Sequence, residues 1–258
     1  MTVFAAAMIV LYALLFCPTL QAQDLGPGYT KVKDGIYTFA PDQTTTTCSF
    51  VVTEAGVVMI DSCNSPLDSR RMAAAIKKVT DKPVVFLIDT ETHNDHTANH
   101  FVFSPPALVI NHAGAGEAMK KDFNPKRAET LAAQSPEMRE ALKGNKLIPP
   151  QIEYKDKMTL NLGERTFELF FLKNVHSEAD TVIWLPKERV LFAGSAANVR
   201  WFINLRPTVV LPDVLASYKF MKSLDPEFVV PGHGPVGTTK IFDEYEGYYT
   251  LLMKRVGD

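Results

Sequence analysis

Residues 91–100 read Glu-Thr-His-Asn-Asp-His-Thr-Ala-Asn-His, ETHNDHTANH. Three of the six histidines in this 258-residue chain stand in those ten positions, with an aspartate between them and a glutamate at the head. The run follows directly on PVVFLID, 83–89, a continuous apolar stretch of strand length. Such a stretch fits a strand buried on both faces. A polar cluster at the end of a buried strand is where layered α/β folds gather their sites, because loops converge there over a rigid base.

The same pattern recurs downstream. His176 follows ELFFLKNV, Ser195 follows RVLFAG, and His233 follows EFVVPG. Four apolar strands thus end in a candidate ligand or its neighbour: Glu91, His93, Asp95 and His96 after the first, then His176, Ser195 and His233. Imidazole and carboxylate together suit zinc and other borderline metals. His100 reads as a bystander on a short helix behind the motif, and His112 as the end of a strand.

The surrounding sequence alternates strands and helices. YTKVKDGIYTF, 29–39, predicts a hairpin turning at Asp34-Gly35. TTTTCSFVVTE and VVMIDSC flank Ala55-Gly56 and predict a second hairpin with those two residues as its loop. In that register Cys48 falls opposite Cys63, within disulfide range. The alternative is two free, half-buried thiols. PLDSRRMAAAIKKV, 66–79, has helical spacing with a proline at its start. Residues 114–143 read as helical, broken near Asn124-Pro125 and Ser135-Pro136, and form a cover or insert near the site. KMTLNLG, RTFELFFLKN, DTVIWLP and RVLFAG follow as strands. Helices are expected at 212–224 and 239–256, with EFVVPGHGP as a strand between them. No internal repeat or low-complexity tract appears. The alternation predicts a layered α/β protein.

Composition bounds the function. The formal net charge is -2 with no basic cluster, which gives no footing for nucleic acid. Thr2 to Phe16 carry no charge, Cys17-Pro18-Thr19 breaks the run, and Leu20-Gln21-Ala22 offers a small residue before Gln23. Residues 1–22 therefore read as a signal peptide, leaving 23–258 as one domain in the periplasm or outside the cell. The apolar run of about 14 residues is short for a membrane span of roughly 20. An uncleaved anchor is the alternative, since no Lys or Arg precedes the run. An exported compartment permits a Cys48–Cys63 bond.

The motifs in this order resemble the metallo-β-lactamase superfamily. Its His-x-His-x-Asp-His run is matched by Glu91-Thr92-His93-Asn94-Asp95-His96. HSEAD, 176–180, is similar to its His-Thr-x-Gly-Asp stretch, and VLFAGS, 190–195, to its strand ending Gly-Asp. VVPGHGP, 229–235, resembles its last histidine motif, and VVMIDSC, 57–63, its early strand ending Ile-Asp. The resemblance covers roughly residues 29 to 255. It implies a four-layer αββα sandwich with two divalent metal ions at one edge. It also implies one site from Glu91, His93 and His176 and another from Asp95, His96 and His233. Zinc is the first expectation, with iron or manganese as alternatives. The implied activity is hydrolysis of a small-molecule substrate by a metal-bound hydroxide.

Two departures stand out. Glu91 replaces the family's first histidine, and Ser195 stands where many members carry a bridging aspartate. One carboxylate in and one out keeps the ligand charge roughly constant. Serine at this position resembles one subclass of true metallo-β-lactamases, some of which carry glutamate or glutamine at the first position. β-Lactams are therefore the leading substrate expected, with lactones or other esters, and a di-iron redox protein, as alternatives. Asp95 is expected to orient the nucleophile and accept its proton. Asp61 and Asp180 are expected to hold ligand histidines in one tautomer or to cap turns. AANVRWFINLRP, 196–207, is expected as a loop that offers Asn198, Arg200 and Trp201 to substrate.

Overall fold

The computed structural model describes residues 24–42, 44–199, 206–207 and 209–256. The expected signal peptide and the expected substrate residues Arg200 and Trp201 lie outside the described residues. Among those described, no helix is long and apolar enough to cross a membrane.

Two sheets form. The first holds β1 (Tyr29–Lys33), β2 (Ile36–Phe39), β3 (Cys48–Thr53), β4 (Gly56–Ile60), β5 (Val84–Ile88), β6 (Leu108–His112) and β7 (Ile152–Tyr154), in chain order. β1 to β4 run antiparallel, and β4 to β7 run parallel. Parallel neighbours need long crossovers. The first crossover is α1 (Pro66–Val79); Ser65 accepts from the Asp68 backbone at its start, and Lys77 and Lys78 sit in its last turn. The second contains α2 (Asn94–Thr97) and a 3-10 turn, His100–Val102. The third contains α3 (Ala115–Asp122), α4 (Pro125–Ala132) and α5 (Pro136–Ala141). Those helices break at the predicted prolines, with the Asn124 and Ser135 side chains capping the next helix.

The second sheet has the order β12 (Phe228–His233), β11 (Val190–Asn198), β10 (Asp180–Leu185), β9 (Arg165–Leu172), β8 (Lys157–Leu162). Only β11 and β12 pair in parallel, across α6 (Leu211–Ser223); α7 (Lys240–Val256) follows. β10 and β11 are buried at every position, which explains their unbroken apolar runs, whereas edge strand β8 alternates.

Three apolar layers hold the stack. Val51, Val58, Ile60, Ile88 and Ile110 of the first sheet meet Phe167, Leu169, Ile183, Phe192 and Val230 of the second. Met72 and Ile76 of α1 cover Phe50, Met59, Leu87 and Val109. Val214, Tyr218 and Met221 of α6 and Phe242 and Tyr249 of α7 cover Trp184, Leu191 and Val229. Each such side chain contributes about 1.5–3 kcal/mol on burial. The order of layers is helix, sheet, sheet, helix: the expected αββα sandwich.

Two local expectations need correction. Thr53 pairs with Gly56, so the β3–β4 loop is Glu54-Ala55 rather than Ala55-Gly56. Gly56 belongs to the ladder because β5 passes close by: a Cβ there would lie 2.8 Å from the Val85 methyls. The shifted register places Asp61, not Cys63, opposite Cys48. The disulfide forms all the same, with Cα atoms 5.0 Å apart. Asp61 and Cys63 both take positive φ, 57° and 65°, and fold the chain back beyond Ile60 to bring Cys63 to Cys48.

The second correction concerns β11, which does not stop at Gly194 but continues to Asn198, so Ser195 and Asn198 are strand residues. Gly232 of β12 makes this pairing close, since a Cβ there would fall 2.5 Å from the Ser195 backbone nitrogen.

Candidate metal centre

The ends of β5, β11 and β12 converge on the 91–96 run. β5 delivers Asp89, Thr90 and Glu91 as a buried segment. Thr90 donates from its backbone and hydroxyl to the two Asp61 oxygens, each at 2.7 Å. The Asn111 amide donates to Asp89 Oδ2 at 3.0 Å and to the Glu91 carbonyl at 3.2 Å. His93 then stands at the start of α2, whose single turn presents Asp95 and His96.

Two groups of donors result. Glu91, His93 and His176 offer atoms within 4.8 Å of one another, and so do Asp95, His96 and His233. In each group the histidine rings meet edge to face: His93 with His176 at 4.9 Å between centroids, His96 with His233 at 5.4 Å. All six sequence candidates are thus brought together in the predicted threes.

The second group is braced. Asp61 Oδ2 accepts from His96 Nδ1 at 2.9 Å, which turns Nε2 inward. The Thr44 carbonyl accepts from His233 Nδ1 at 3.2 Å and likewise turns Nε2 toward Asp95 Oδ2, 3.5 Å away. Asp95 Oδ2 accepts from the Thr46 hydroxyl at 2.8 Å. Ser195 Oγ lies 3.5 Å from His96 Nε2. Of the two carboxylates expected behind the histidines, Asp61 meets a ring nitrogen. Asp180 does not. Its carboxylate accepts from the backbone N–H groups of His176 and Ser177 and from the Ser177 hydroxyl, which closes the turn before β10. The His176 Nδ1 has no hydrogen-bond partner among the described residues.

Glu91 is fully buried. Its Oε2 contacts His93 Nδ1 and lies 3.6 Å from His176 Nε2. Its Oε1 lies 3.0 Å from His96 Nε2 but has no hydrogen-bond partner there or elsewhere among the described residues. Burial pushes the Glu91 carboxyl up, yet His96, His176 and His93 together hold it well below the usual range. Burial pushes His96 down, but Glu91, Asp61 and Asp95 outweigh it and raise His96 to about 10. His176 falls to about 4, chiefly through burial. Asp180 is pushed up to about 7 by burial and then by the Glu91 charge. Negative charge therefore gathers around His96. A buried carboxylate oxygen without a donor calls for a cation. The donor set of two carboxylates and four imidazoles fits a pair of divalent metal ions.

Both groups face a cavity of about 370 Å³, whose wall also includes Asn198, Asp122, Arg127 and Arg206. Asn198, expected to meet substrate, is placed on that wall. Asp122 and Arg127 come from the helical insert, which explains its position over the site.

Some contributors were overlooked in the sequence. The Thr44–Thr47 run reads simply as strand-forming, yet Thr44 and Thr46 hold the second group and the Thr47 hydroxyl donates to the Gly234 carbonyl. Four consecutive threonines were the available signal. His100 and His112 lie outside both donor groups. His100 spans Asp89 Oδ1 and the Ile148 carbonyl, each at 2.8 Å, and His112 stacks on Phe171 at 3.8 Å between centroids.

A two-sheet sandwich with paired imidazole and carboxylate groups at its strand ends defines the chain as a metal-site protein of the αββα class. The family model described as Metallo-beta-lactamase superfamily matches residues 41–233, and the chain belongs to that superfamily of metallo-hydrolases. One relative is the alpha subunit of the 2,4-dinitroanisole O-demethylase of Nocardioides sp. (strain JS1661), 23% identical over 70% of this chain and 50% of that protein. Another is the metallo-beta-lactamase type 2 of Bacteroides fragilis, 28% identical over 36% of this chain and 39% of that protein. The chain spans half or less of the length of these two relatives. Among solved structures, the metallo-beta-lactamase from Pontibacter korlensis superposes with a TM-score of 0.65 at 18% identity, over 85% of this chain and 96% of that one. The sec-alkyl sulfatase PisA1, solved as a double mutant, gives 0.70 at 14% identity, over 89% of this chain and 42% of that one. These likenesses establish the fold.

Proposed function

We propose that the chain is a two-metal hydrolase of small molecules, with β-lactams as its leading substrates. Glu91, His93 and His176 would hold one ion, and Asp95, His96 and His233 the other. The observation that carries this reading is that both donor groups face one cavity. Divalent ions bound there supply a nucleophile at neutral pH and stabilise developing negative charge.

The chain's own residues do the rest. Asp95 is held below the usual carboxylate range, against burial, chiefly by His96. It is therefore ionised at neutral pH and able to accept the nucleophile's proton. The Thr46 hydroxyl fixes its direction. Arg127 and Arg206, exposed on the cavity wall, would seize an anionic group such as the carboxylate that β-lactams carry. The Cys48–Cys63 disulfide supports an exported location, periplasmic or secreted.

Lactones, esters and sulfate esters form the second reading. It is favoured by the range of names among the relatives, an O-demethylase subunit and an alkyl sulfatase beside the lactamases. Protein loaded separately with zinc, iron or manganese and offered nitrocefin decides the matter. Turnover that disappears in His96→Ala supports the β-lactam reading. Two bound ions with inert β-lactams but cleaved lactone or nitrophenyl ester would leave only the broader hydrolase. If the protein takes up no divalent ion, both readings fall.

A further inference from the structure

We infer that Glu91 joins the two donor groups, giving one carboxylate oxygen to each, and so takes the bridging role that a neutral serine at position 195 cannot fill. The inference rests on the two-ion reading above and deepens it.

The geometry points that way. Oε2 of Glu91 touches His93 Nδ1 and lies 3.6 Å from His176 Nε2, inside the first group. Oε1 points instead into the second group, 3.0 Å from His96 Nε2. Asp61 Oδ2 accepts a hydrogen bond from His96 Nδ1, so when an ion binds and the ring is neutral, Nε2 is the nitrogen that presents a lone pair. Glu91 Oε1 and His96 Nε2 stand 3.0 Å apart, and Oε1 is buried with no hydrogen-bond partner among the described residues. A cation shared by both atoms satisfies the pair. A histidine at position 91 would offer one inward lone pair and could serve one group only, whereas a carboxylate offers about four acceptor sites on two oxygens.

Position 195 completes the picture. Ser195 Oγ approaches the same His96 nitrogen, at 3.5 Å, but as a neutral hydroxyl. Two positions thus reach His96 Nε2, and in this chain only the one at 91 carries a charge. Substitution at 91 should therefore damage the group that contains His96 as well as its own.

Titration with Co²⁺ or Zn²⁺ alone, followed by NMR of the histidine ring protons, tests this without reference to activity. Shifts at His93 and His176 report the first group, and shifts at His96 and His233 the second. Glu91→Gln keeps the shape and one oxygen but loses the second anionic donor. It is expected to weaken uptake at the second group by about tenfold or more. His93→Ala should weaken only the first group. If Glu91→Gln also affects only the first group, Glu91 is a terminal ligand and the inference is overturned. Should Glu91→Gln fail to fold, Glu91→His with and without Ser195→Asp takes its place. Recovery of second-group affinity on adding Ser195→Asp supports the inference, and undiminished affinity in Glu91→His alone overturns it. Wild-type protein that shifts neither pair of histidines sinks the two-ion reading itself, a result distinct from either outcome.

Discussion

The two halves of the centre are built differently. In the group of Asp95, His96 and His233, every member has a partner outside the group: Thr46, Asp61 and the Thr44 carbonyl. The group of Glu91, His93 and His176 leans on itself. Its histidines contact or approach the Glu91 carboxylate, and His176 Nδ1 has no hydrogen-bond partner among the described residues. A braced group keeps its geometry without an ion, because the outer partners fix each ring. A self-contained group depends on whatever sits at its centre. The second half of the centre is therefore preformed, and the first is organised through one carboxylate.

The largest test removes a braced histidine. His96→Ala should lower hydrolysis by on the order of 10³-fold, the scale of losing several kcal/mol of charge stabilisation, and atomic absorption should show one ion fewer. Next comes the scaffold beneath the brace. Ser62 donates to the His96 carbonyl from backbone and hydroxyl, and the disulfide ties the 61–63 segment to β3. Cys48→Ser with Cys63→Ser should cost about 3 kcal/mol in urea unfolding, the loop-closure value for a separation of 15 residues. It should also weaken the second group before the first.

Asp61→Asn should reduce second-group metal affinity by about 10–100-fold, read by competition with a chelating dye. Asp180→Asn, which alters a backbone turn and leaves the rings alone, should change it far less. Equal effects would erase the distinction between the halves. Thr46→Val removes one hydroxyl donor to Asp95 and should cost about 1 kcal/mol, near fivefold in kcat/KM.

The smallest effect concerns the third histidine of the opening run. Burial lowers the His100 pKa, but Asp89 outweighs it and raises the value above the ordinary one near 6.5. Folding therefore takes up a proton at His100 between its ordinary and raised values. The stability it contributes is complete below about pH 6.5 and is lost as pH rises through the folded value, with a slope below about 1.4 kcal/mol per pH unit. Unfolding free energies measured from pH 6 to 9 should fall less steeply in His100→Gln than in wild type, with His96, raised to about 10, still contributing to the slope in both. Metal affinity should stay unchanged.

Much of this was legible from local chemistry. Pro66, Pro125 and Pro136 mark helix starts because their missing N–H groups cost nothing there. The buried strands could be read from unbroken apolar runs, and the six donors from their places at strand ends. The brace was not legible, since Thr44 and Thr46 are separated by nearly fifty residues or more from the groups they hold. Nor was the β3–β4 register, in which Gly56 joins the ladder and lies tight against Val85 of β5.

The sequence by itself determined the layers and the inventory of the centre, because strand burial, helix starts and ligand types are properties of short stretches. Only the tertiary structure decided how the inventory is shared. It set Asp61 on His96 and Asp180 on a backbone turn, and it aimed the two Glu91 oxygens into different groups. The direction of a side chain depends on what packs around it, and here the packing brings together strands that are far apart along the chain.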